Sequence, residues 1–360
     1  QVPPPPPATA VDVHSHAYLS SYMDLLRART SVPRVVQGPA GEDRLVILPG
    51  EDVEATTAAG RPIGPEYFDV GEKLRFMDRH GIATTLLSLA NPWLDFMEPE
   101  EAAVAAKVLN DEMHDVCEAS GGRLLGLATL PTQAPAAAAA ELRRMRAAGY
   151  SRTIKGVILG TSGAGKGMDD PALDEVYAEL EEQGMLVFIH PHHGVGTEHF
   201  HGAGHALFLA LGFPFETTTA AARLIVSGTL DRFPGLKLLL AHSGGTLPWL
   251  IGRLDSCVMH DLAIAQRLEH APSEYLKRMF FDSINYRTEN LTALIEMLGP
   301  GGEDRILFGT DNPFFPPPGE SALADTPWPS TVRIIDTVGE LADATRDKIL
   351  FGNAQRLFSA

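Results

Sequence analysis

Short apolar runs alternate with longer stretches of helical character along the whole chain. Eight such runs are apolar at nearly every position, which is typical of strands buried on both faces of a parallel sheet. They span residues 10–13, 83–89, 124–130, 154–159, 185–189, 236–241, 279–281 and 305–308. The pattern therefore predicts repeated strand–helix units.

The stretches between the runs carry the signals that begin and end helices. Pro171 and Gly184 bracket a predicted helix over 171–183, and Gly149 closes another over 134–148. Eight strand–helix units favour a closed (β/α)8 TIM-type barrel over an open doubly wound sheet, because no Gly-x-Gly-x-x-Gly turn follows the first run. We therefore expect an α/β fold of the barrel type.

Two segments stand outside this alternation. Residues 20–65 form a long insertion after the first run, with many Gly and Pro residues and a candidate strand over 44–48, so we expect a cap over the barrel mouth. Residues 1–9 contain five consecutive prolines and predict a stiff polyproline II arm. No internal repeat or linker divides the remainder, so residues 10–360 are expected to form one barrel domain.

Composition limits the classes of partner. The chain is 44% hydrophobic and 21% charged, as globular proteins are, and its 29 basic and 46 acidic residues give a net charge of −17. That charge repels nucleic acid and anionic membranes, and no apolar run approaches the roughly 18 residues of a membrane span. Cys117 and Cys257 cannot form a disulfide framework, and the first residues lack the basic and apolar segments of a secretory signal. We therefore expect a cytoplasmic protein with no nucleic-acid or membrane partner.

Candidate metal ligands occur where the predicted strands end, which in a TIM-type barrel is where the active site lies. They are His14 and His16 after the first run, His190 after the fifth, His242 after the sixth and Asp311 after the eighth. His14 and His16 alternate along an extended chain, so both face the same side. Without His242, the set supplies three imidazoles and one carboxylate, which suits zinc with one open position. Manganese or another divalent ion is the alternative.

A second metal ion and a fifth ligand are not expected. Binuclear barrel hydrolases often bridge two ions through a lysine at the mouth of the fourth strand. Lys155 lies at the other end of its run, so we expect one ion per subunit. His242 would be a fifth ligand, more than zinc usually takes, and we assign it instead to holding a water molecule or polarising the substrate. His192, two residues beyond His190, is a candidate for the pocket wall.

Several motifs carry a resemblance to a known family. They are His14-Ser15-His16, His190-Pro191, LAHSGG over 240–245, FGTD over 308–311 and GNAQRLF over 352–358. Over nearly the whole chain they resemble the aminocarboxymuconate-semialdehyde decarboxylase family of the amidohydrolase superfamily. Within it, segments 88–93, 158–163, 190–192 and 211–214 most resemble the members that decarboxylate iso-orotate (uracil-5-carboxylate). The resemblance implies a zinc-dependent, non-oxidative decarboxylation with no organic cofactor.

The resemblance also implies a role for each matching residue. The family's metal ligands are matched by His14, His16, His190 and Asp311. Its active-site histidine is matched by His242. Arg61 and Asn91 match positions that contact the substrate. Arg253 matches an arginine that relatives insert into the partner subunit's site, which implies a homodimer or a dimer-based oligomer.

The expected chemistry follows from the instability of an aryl or vinyl carbanion. Direct loss of carbon dioxide would leave such an anion, so the carbon must be protonated first. We expect the ion to chelate a carboxylate oxygen and the adjacent ring oxygen of a substrate such as uracil-5-carboxylate or a hydroxybenzoate. Asp311 then delivers to the carboxylated carbon a proton taken from water, while Arg61 and Asn91 hold the ring's polar edge. Three aromatic residues are expected to cover the face of the ring: Trp93, Phe213 and Phe314. Packing in the core is the alternative role for them.

Two other functions stay open on the sequence. A hydrolase of the same superfamily would use the same ligands, with Asp311 as a base and a lactone, ester or amide as its substrate. A non-catalytic metal-binding protein would also keep the ligands, in a pocket that is shut. Release of carbon dioxide rather than ring opening separates the decarboxylase from the hydrolase.

Overall fold

The computed structural model describes residues 9–38, 41–47, 60–203, 205–317 and 327–359. Within these ranges the strands form two sheets, one of eight parallel strands and one of three antiparallel strands. In chain order the strands are β1 (Ala10–Ala17), β2 (Arg34–Gln37), β3 (Asp43–Val46), β4 (Arg61–Pro62), β5 (Ile82–Leu89), β6 (Leu124–Thr129), β7 (Ile154–Gly160), β8 (Leu186–His190), β9 (Lys237–Leu240), β10 (Phe280–Asp282) and β11 (Ile306–Leu307).

Helices alternate with the strands of the large sheet. In chain order they are α1 (Ser20–Ala28), α2 (Val70–Arg79), α3 (Pro99–Ala119), α4 (Pro135–Ala147), α5 (Asp174–Glu182), α6 (His205–Leu207), α7 (Phe213–Val226), α8 (Thr229–Arg232), α9 (Leu247–His260), α10 (Leu262–Ala265), α11 (Pro272–Leu276), α12 (Thr288–Leu298), α13 (Pro329–Gly339), α14 (Asp343–Asp347) and α15 (Asn353–Ser359). In the part of the chain described here, none of them combines the length and apolar character needed to cross a bilayer.

The eight-stranded sheet closes on itself as a barrel. Its strands neighbour one another in chain order, from β1 through β5 to β11. At the seam, Val13 N donates to Phe308 O at 2.9 Å and Asp311 N donates to His14 O at 2.8 Å. Side chains on both faces of the strands are buried, as expected where helices cover the outside and side chains fill the inside. The predicted (β/α)8 barrel is confirmed.

The first strand is longer than its apolar run predicted. β1 continues to Ala17, and His16 still pairs with Ser88 of β5. The apolar run ends at residue 13 because the next residues that face into the barrel, near its mouth, are polar. His14 and His16 project from this hydrogen-bonded strand, which agrees with their predicted alternation along it.

The insertion after β1 contains a helix and a small antiparallel sheet, and its role as a cap over the barrel mouth stays a prediction. α1 leads into the antiparallel sheet, whose middle strand β3 ends at Val46, while residues 48–59 lie outside the described ranges. The short strand β4 brings the Arg61 guanidinium to 5.0 Å from the ring centre of Phe314, in the loop after β11. The predicted arm over residues 1–9 lies outside the described residues except for its last member.

Candidate metal centre and substrate pocket

Five side chains meet at the C-terminal mouth of the barrel. His14 and His16 project from β1, His190 ends β8, His242 follows β9, and Asp311 lies in the loop after β11. Ligating atoms of His14, His190, His242 and Asp311 all lie within 4.8 Å of one another. His16 Nε2 lies 3.0 Å from His14 Nε2 and 3.4 Å from Asp311 Oδ1. The structure thus brings together the residues that the strand ends predicted.

Each of the three predicted imidazole ligands is held through its Nδ1 atom. The bonds run from His14 Nδ1 to Asp282 Oδ2 at 2.7 Å, from His16 Nδ1 to Ser88 Oγ at 2.8 Å, and from His190 Nδ1 to Pro191 O at 2.8 Å. In the neutral imidazole a hydrogen on Nδ1 leaves the Nε2 lone pair free, and metal-ligating histidines are oriented in this way. These three rings are therefore oriented so that Nε2 can bind a metal ion.

The side chains at this centre fit a divalent cation. Among the described residues, the buried atoms His190 Nε2 and His242 Nδ1 have no hydrogen-bond partner. A buried polar atom of this kind needs an explanation, and an ion bound to His190 Nε2 supplies one. His14, His16 and Asp311 are also buried, and imidazole nitrogens with a carboxylate oxygen form a donor set that zinc and manganese both accept.

The carboxylates favour positive charge at the centre. Burial alone would lower the pKa of His14, but the charge of Asp311 and the hydrogen bond to Asp282 raise it to about 10. Burial would raise the pKa of Asp311, yet the charge of His14 and the hydrogen bonds from neighbouring histidines hold it well below its ordinary value. Burial lowers the pKa of His16 to about 4. Positive charge beside Asp311 is thus stabilised, and a divalent metal cation would supply it.

Asp282, the last residue of β10, organises the centre and was not among the predicted site residues. Besides its bond with His14, it accepts hydrogen bonds from the backbone N–H groups of His242 and Ser243, each at 2.8 Å. Those two residues both have a φ of 54°, in the left-handed region that favours glycine, so the Asp282 carboxylate holds a strained turn. The available signal was a carboxylate at the end of the seventh apolar run.

Asp282→Asn is expected to raise the zinc dissociation constant by about 10- to 100-fold, because it removes the negative charge that orients His14. Competition with a chromogenic chelator measures this constant. Asp174→Asn is the matched control, since it removes a surface carboxylate that pairs with Arg232. Equal affinities in the two variants would show that Asp282 does not support the centre.

Arg61 and Phe314 lie beside the centre. The Arg61 guanidinium lies 5.0 Å from the Phe314 ring centre and 5.2 Å from that of Tyr67, and its Nη2 donates to Tyr18 Oη at 3.2 Å. The Phe314 ring in turn lies 5.4 Å from the ring of His16. A positive group is therefore fixed next to the candidate metal ligands.

The other predicted contacts surround His190. Asn91 Nδ2 donates to His192 Nδ1 at 3.0 Å, and burial lowers the pKa of His192 to about 3, so this imidazole is neutral. The Trp93 ring lies 5.8 Å and the Phe213 ring 6.3 Å from the ring of His190. Trp93 is only 2% exposed, so it packs in the core as well as beside His190.

Arg253 is not among the residues that meet in the single chain. It lies exposed on α9, and its side chain forms no hydrogen bond or ion pair with the residues described in its own chain. Lys155, at the start of β7, donates to Ser151 O at 3.0 Å, at the end of the barrel opposite the mouth. It is therefore absent from the centre, as its position in the run predicted.

The closed barrel and the histidine and aspartate cluster at its mouth define a metal-dependent TIM-barrel enzyme. The sequence model of the family described as Amidohydrolase matches residues 11–360. The chain belongs to this amidohydrolase family.

Three similar proteins are decarboxylases. A 2-amino-3-carboxymuconate-6-semialdehyde decarboxylase of Dictyostelium discoideum is 30% identical over 82% of this chain and 77% of its own length. The apo crystal structure of IDCase (iso-orotate decarboxylase) from Metarhizium anisopliae has a TM-score of 0.89 and 37% identity, and covers 98% of this chain and 97% of its own. A dihydroxybenzoic acid decarboxylase of Polaromonas, with bound manganese and 2-nitroresorcinol, has a TM-score of 0.70 and 25% identity, over 98% and 97% of the two chains.

Proposed function

We propose that the protein is a metal-dependent, non-oxidative decarboxylase of a heteroaromatic or aromatic carboxylic acid. The observation that carries this proposal is the position of Asp311 Oδ1, 3.3 Å from His14 Nε2 and 3.4 Å from His16 Nε2, at the mouth that Arg61 also reaches. Uracil-5-carboxylate is the preferred substrate, because the likeness to IDCase extends over nearly the whole chain. A hydroxybenzoate is the second choice.

One zinc ion per subunit is proposed to be held by His14, His16, His190 and Asp311, with manganese as the alternative. When bound, the ion supplies a Lewis acid that withdraws electrons from the substrate's carboxylate and from the adjacent ring oxygen. No organic cofactor is needed, because protonation of the ring carbon before the carbon–carbon bond breaks avoids the unstabilised carbanion.

Arg61 and Asn91 are proposed to orient the ring. The Arg61 guanidinium lies over Phe314 and donates to Tyr18 Oη, which fixes its positive charge where it would attract the oxygen atoms of an acidic ring. The side-chain Nδ2 of Asn91 donates to His192, which leaves the side-chain oxygen Oδ1 of Asn91 to accept from a ring N–H. A donor and an acceptor of this kind match the carbonyl and N–H groups of a uracil ring.

Asp311 is proposed to protonate the carboxylated carbon. Its depressed pKa means that it must receive a proton in every turnover. His242 Nε2 lies 3.7 Å from Asp311 Oδ2, and its side chain is 16% exposed, whereas those of His14 and His16 are fully buried. His242 can therefore pass protons from water to Asp311. Once the carbon is protonated, its bond to the carboxylate breaks, carbon dioxide leaves, and the electron pair restores the ring's double bond.

The proposal is tested by incubating the purified protein, with its metal content measured, with uracil-5-carboxylate, 2,6-dihydroxybenzoate and salicylate. The expected result is carbon dioxide and uracil in equal amounts from the first substrate. A lactone, an ester and an amide are included to detect hydrolysis. Ring opening or ester cleavage without carbon dioxide release from any of the acids would contradict the proposal in favour of a hydrolase. Bound metal with no turnover of any substrate would contradict it in favour of a metal-binding protein.

We also propose that α9 forms a homodimer interface. Trp249 on α9 is 73% exposed, Met259 on the same helix is 68% exposed, and Leu262 on α10 is 69% exposed. Large exposed apolar surfaces mark interaction sites on globular proteins. Arg253 lies on the same helix, so a partner that covers this surface would bring its own Arg253 toward the neighbouring site.

Trp249→Glu is expected to convert the dimer to monomers, because a charge buried in an apolar interface without a partner is unfavourable. Sedimentation velocity at micromolar concentration measures the assembly state. The matched control is Val104→Glu, at a position 69% exposed on α3, and it should stay dimeric. A monomeric wild-type protein, or an unaltered dimer in the Trp249 variant, would rule out this interface.

A further inference from the structure

A buried lysine lies beside the candidate metal centre and has no part in the function proposed so far. Lys73, on α2, is 3% exposed. Its Nζ donates to Ser15 Oγ at 2.8 Å, to Asn312 O at 3.3 Å, and to Asn312 Oδ1. It forms no ion pair with any carboxylate in the part of the chain that the structure describes.

The charge of Lys73 is costly at this position. An ammonium group loses its hydration on burial, and neutral oxygen acceptors replace only part of that loss. A methionine or leucine would fill the space without this penalty, so packing alone does not account for a lysine. What the charge achieves must therefore be sought in the groups that it contacts.

Those groups join the two segments that supply the candidate ligands. Ser15 lies between His14 and His16 on β1, and Asn312 directly follows Asp311. The carbonyl oxygen of Asn312 also accepts hydrogen bonds from the backbone N–H of His16 at 2.7 Å and from Ser15 Oγ at 3.1 Å. Lys73 thus completes a set of hydrogen bonds that connects β1, which carries His14 and His16, to the loop that carries Asp311.

The loop needs such support because of its backbone. Asp311 has a φ of 59°, in the left-handed region that non-glycine residues rarely adopt. Conformations of this kind persist only where surrounding contacts impose them. The backbone N–H of Asp311 bonds to His14 O at 2.8 Å on one side, and Lys73 fixes Asn312 on the other.

We propose that Lys73 is a positioning residue that fixes the Asp311 carboxylate against His14 and His16. In this role it acts through Ser15 and Asn312 and touches neither metal nor substrate. The effect on metal affinity stands by itself, whereas the effect on proton delivery rests on the proposed decarboxylase function.

The test compares Lys73→Met with the wild-type protein. The zinc dissociation constant is expected to rise by about 10- to 100-fold, as for other residues that orient metal ligands. For carbon dioxide release, kcat should fall by about 10- to 100-fold while KM changes by less than about threefold, because Asp311 is displaced but Arg61 and Asn91 are not. Lys155→Met is the matched control, since Lys155 is a half-buried lysine that bonds only to a backbone carbonyl far from the mouth. The zinc dissociation constant and kcat of the Lys155 variant should both equal those of the wild type.

Two further variants separate positioning from general stability. Lys73→Gln keeps a hydrogen-bond donor and is expected to recover part of the zinc affinity. Asn312→Ala should lower zinc affinity and kcat as Lys73→Met does. In the double variant, zinc affinity and kcat should be little lower than in either single variant, because both substitutions remove the same contact. A Lys73→Met protein that melts at a lower temperature but keeps zinc affinity and kcat within twofold of wild type would overturn the proposal. If the wild-type protein decarboxylates none of the acids, the decarboxylase function fails, and the zinc constants still decide the role of Lys73.

Discussion

Asp311→Asn is expected to lower the rate of decarboxylation by at least about 10³-fold while the barrel stays folded. A carboxamide neither takes up nor delivers a proton at neutral pH, and general acid–base catalysis contributes roughly 10²- to 10⁴-fold. The substitution also removes the negative charge from the candidate ligand set, so weaker metal binding adds to the loss. The loop itself should keep its shape, because the Asp311 N–H still bonds to His14 O.

Carbon dioxide release at saturating substrate measures the effect, and circular dichroism confirms the fold. Asp343→Asn is the control, since that side chain is 87% exposed and distant in sequence from every candidate ligand. Its activity should equal that of the wild type. Wild-type turnover in the Asp311 variant would eliminate Asp311 as the acid.

His190→Ala is expected to abolish the stabilisation of the fold by zinc. An ion that binds only the folded protein, at 100 times its dissociation constant, adds about 2.7 kcal/mol to the free energy of unfolding. His190 Nε2 is a buried atom with no hydrogen-bond partner among the described residues, so removing the side chain takes away a candidate ligand and breaks no hydrogen bond at that nitrogen. Decarboxylation should fall by about 10³-fold with the loss of the ion.

Melting temperatures with and without zinc, after treatment with a chelator, measure this effect. His199→Ala provides the comparison, because the His199 side chain is 80% exposed and lies outside the cluster. It should keep the full response to zinc. An equal zinc response in the two variants would remove His190 from the ligand set.

The barrel and the meeting of the candidate ligands were predictable because both depend on repeating patterns. A strand buried on both faces is apolar at nearly every position, and eight such runs leave few alternative folds. Strand ends in a barrel of this kind converge, so His190 and Asp311 could be brought together without knowledge of their contacts. The apolar run alone is shorter than β1, since the polar, inward-facing His14 and His16 interrupt the apolar pattern, and only their alternation indicates that the strand continues.

Ser88 and Lys73 could not be predicted because no pattern marks them, and Asp282 was marked only by its place directly after the seventh apolar run. Asp282 contacts His14 across 268 positions of sequence, and Ser88 contacts His16 across 72. Lys73 lies on an amphipathic helix, where a lysine ordinarily faces water. Only the packing of α2 against the barrel shows that it is buried.

The most direct test of the account is an anomalous diffraction map at the zinc absorption edge, from crystals of the purified protein. The account predicts one peak per subunit, at about 2.0–2.2 Å from the Nε2 atoms of His14, His16 and His190 and from one Asp311 oxygen. Crystals grown with manganese should show one peak at the same place at the manganese edge. No peak at the mouth of the barrel, or a peak bound by other residues, would contradict it.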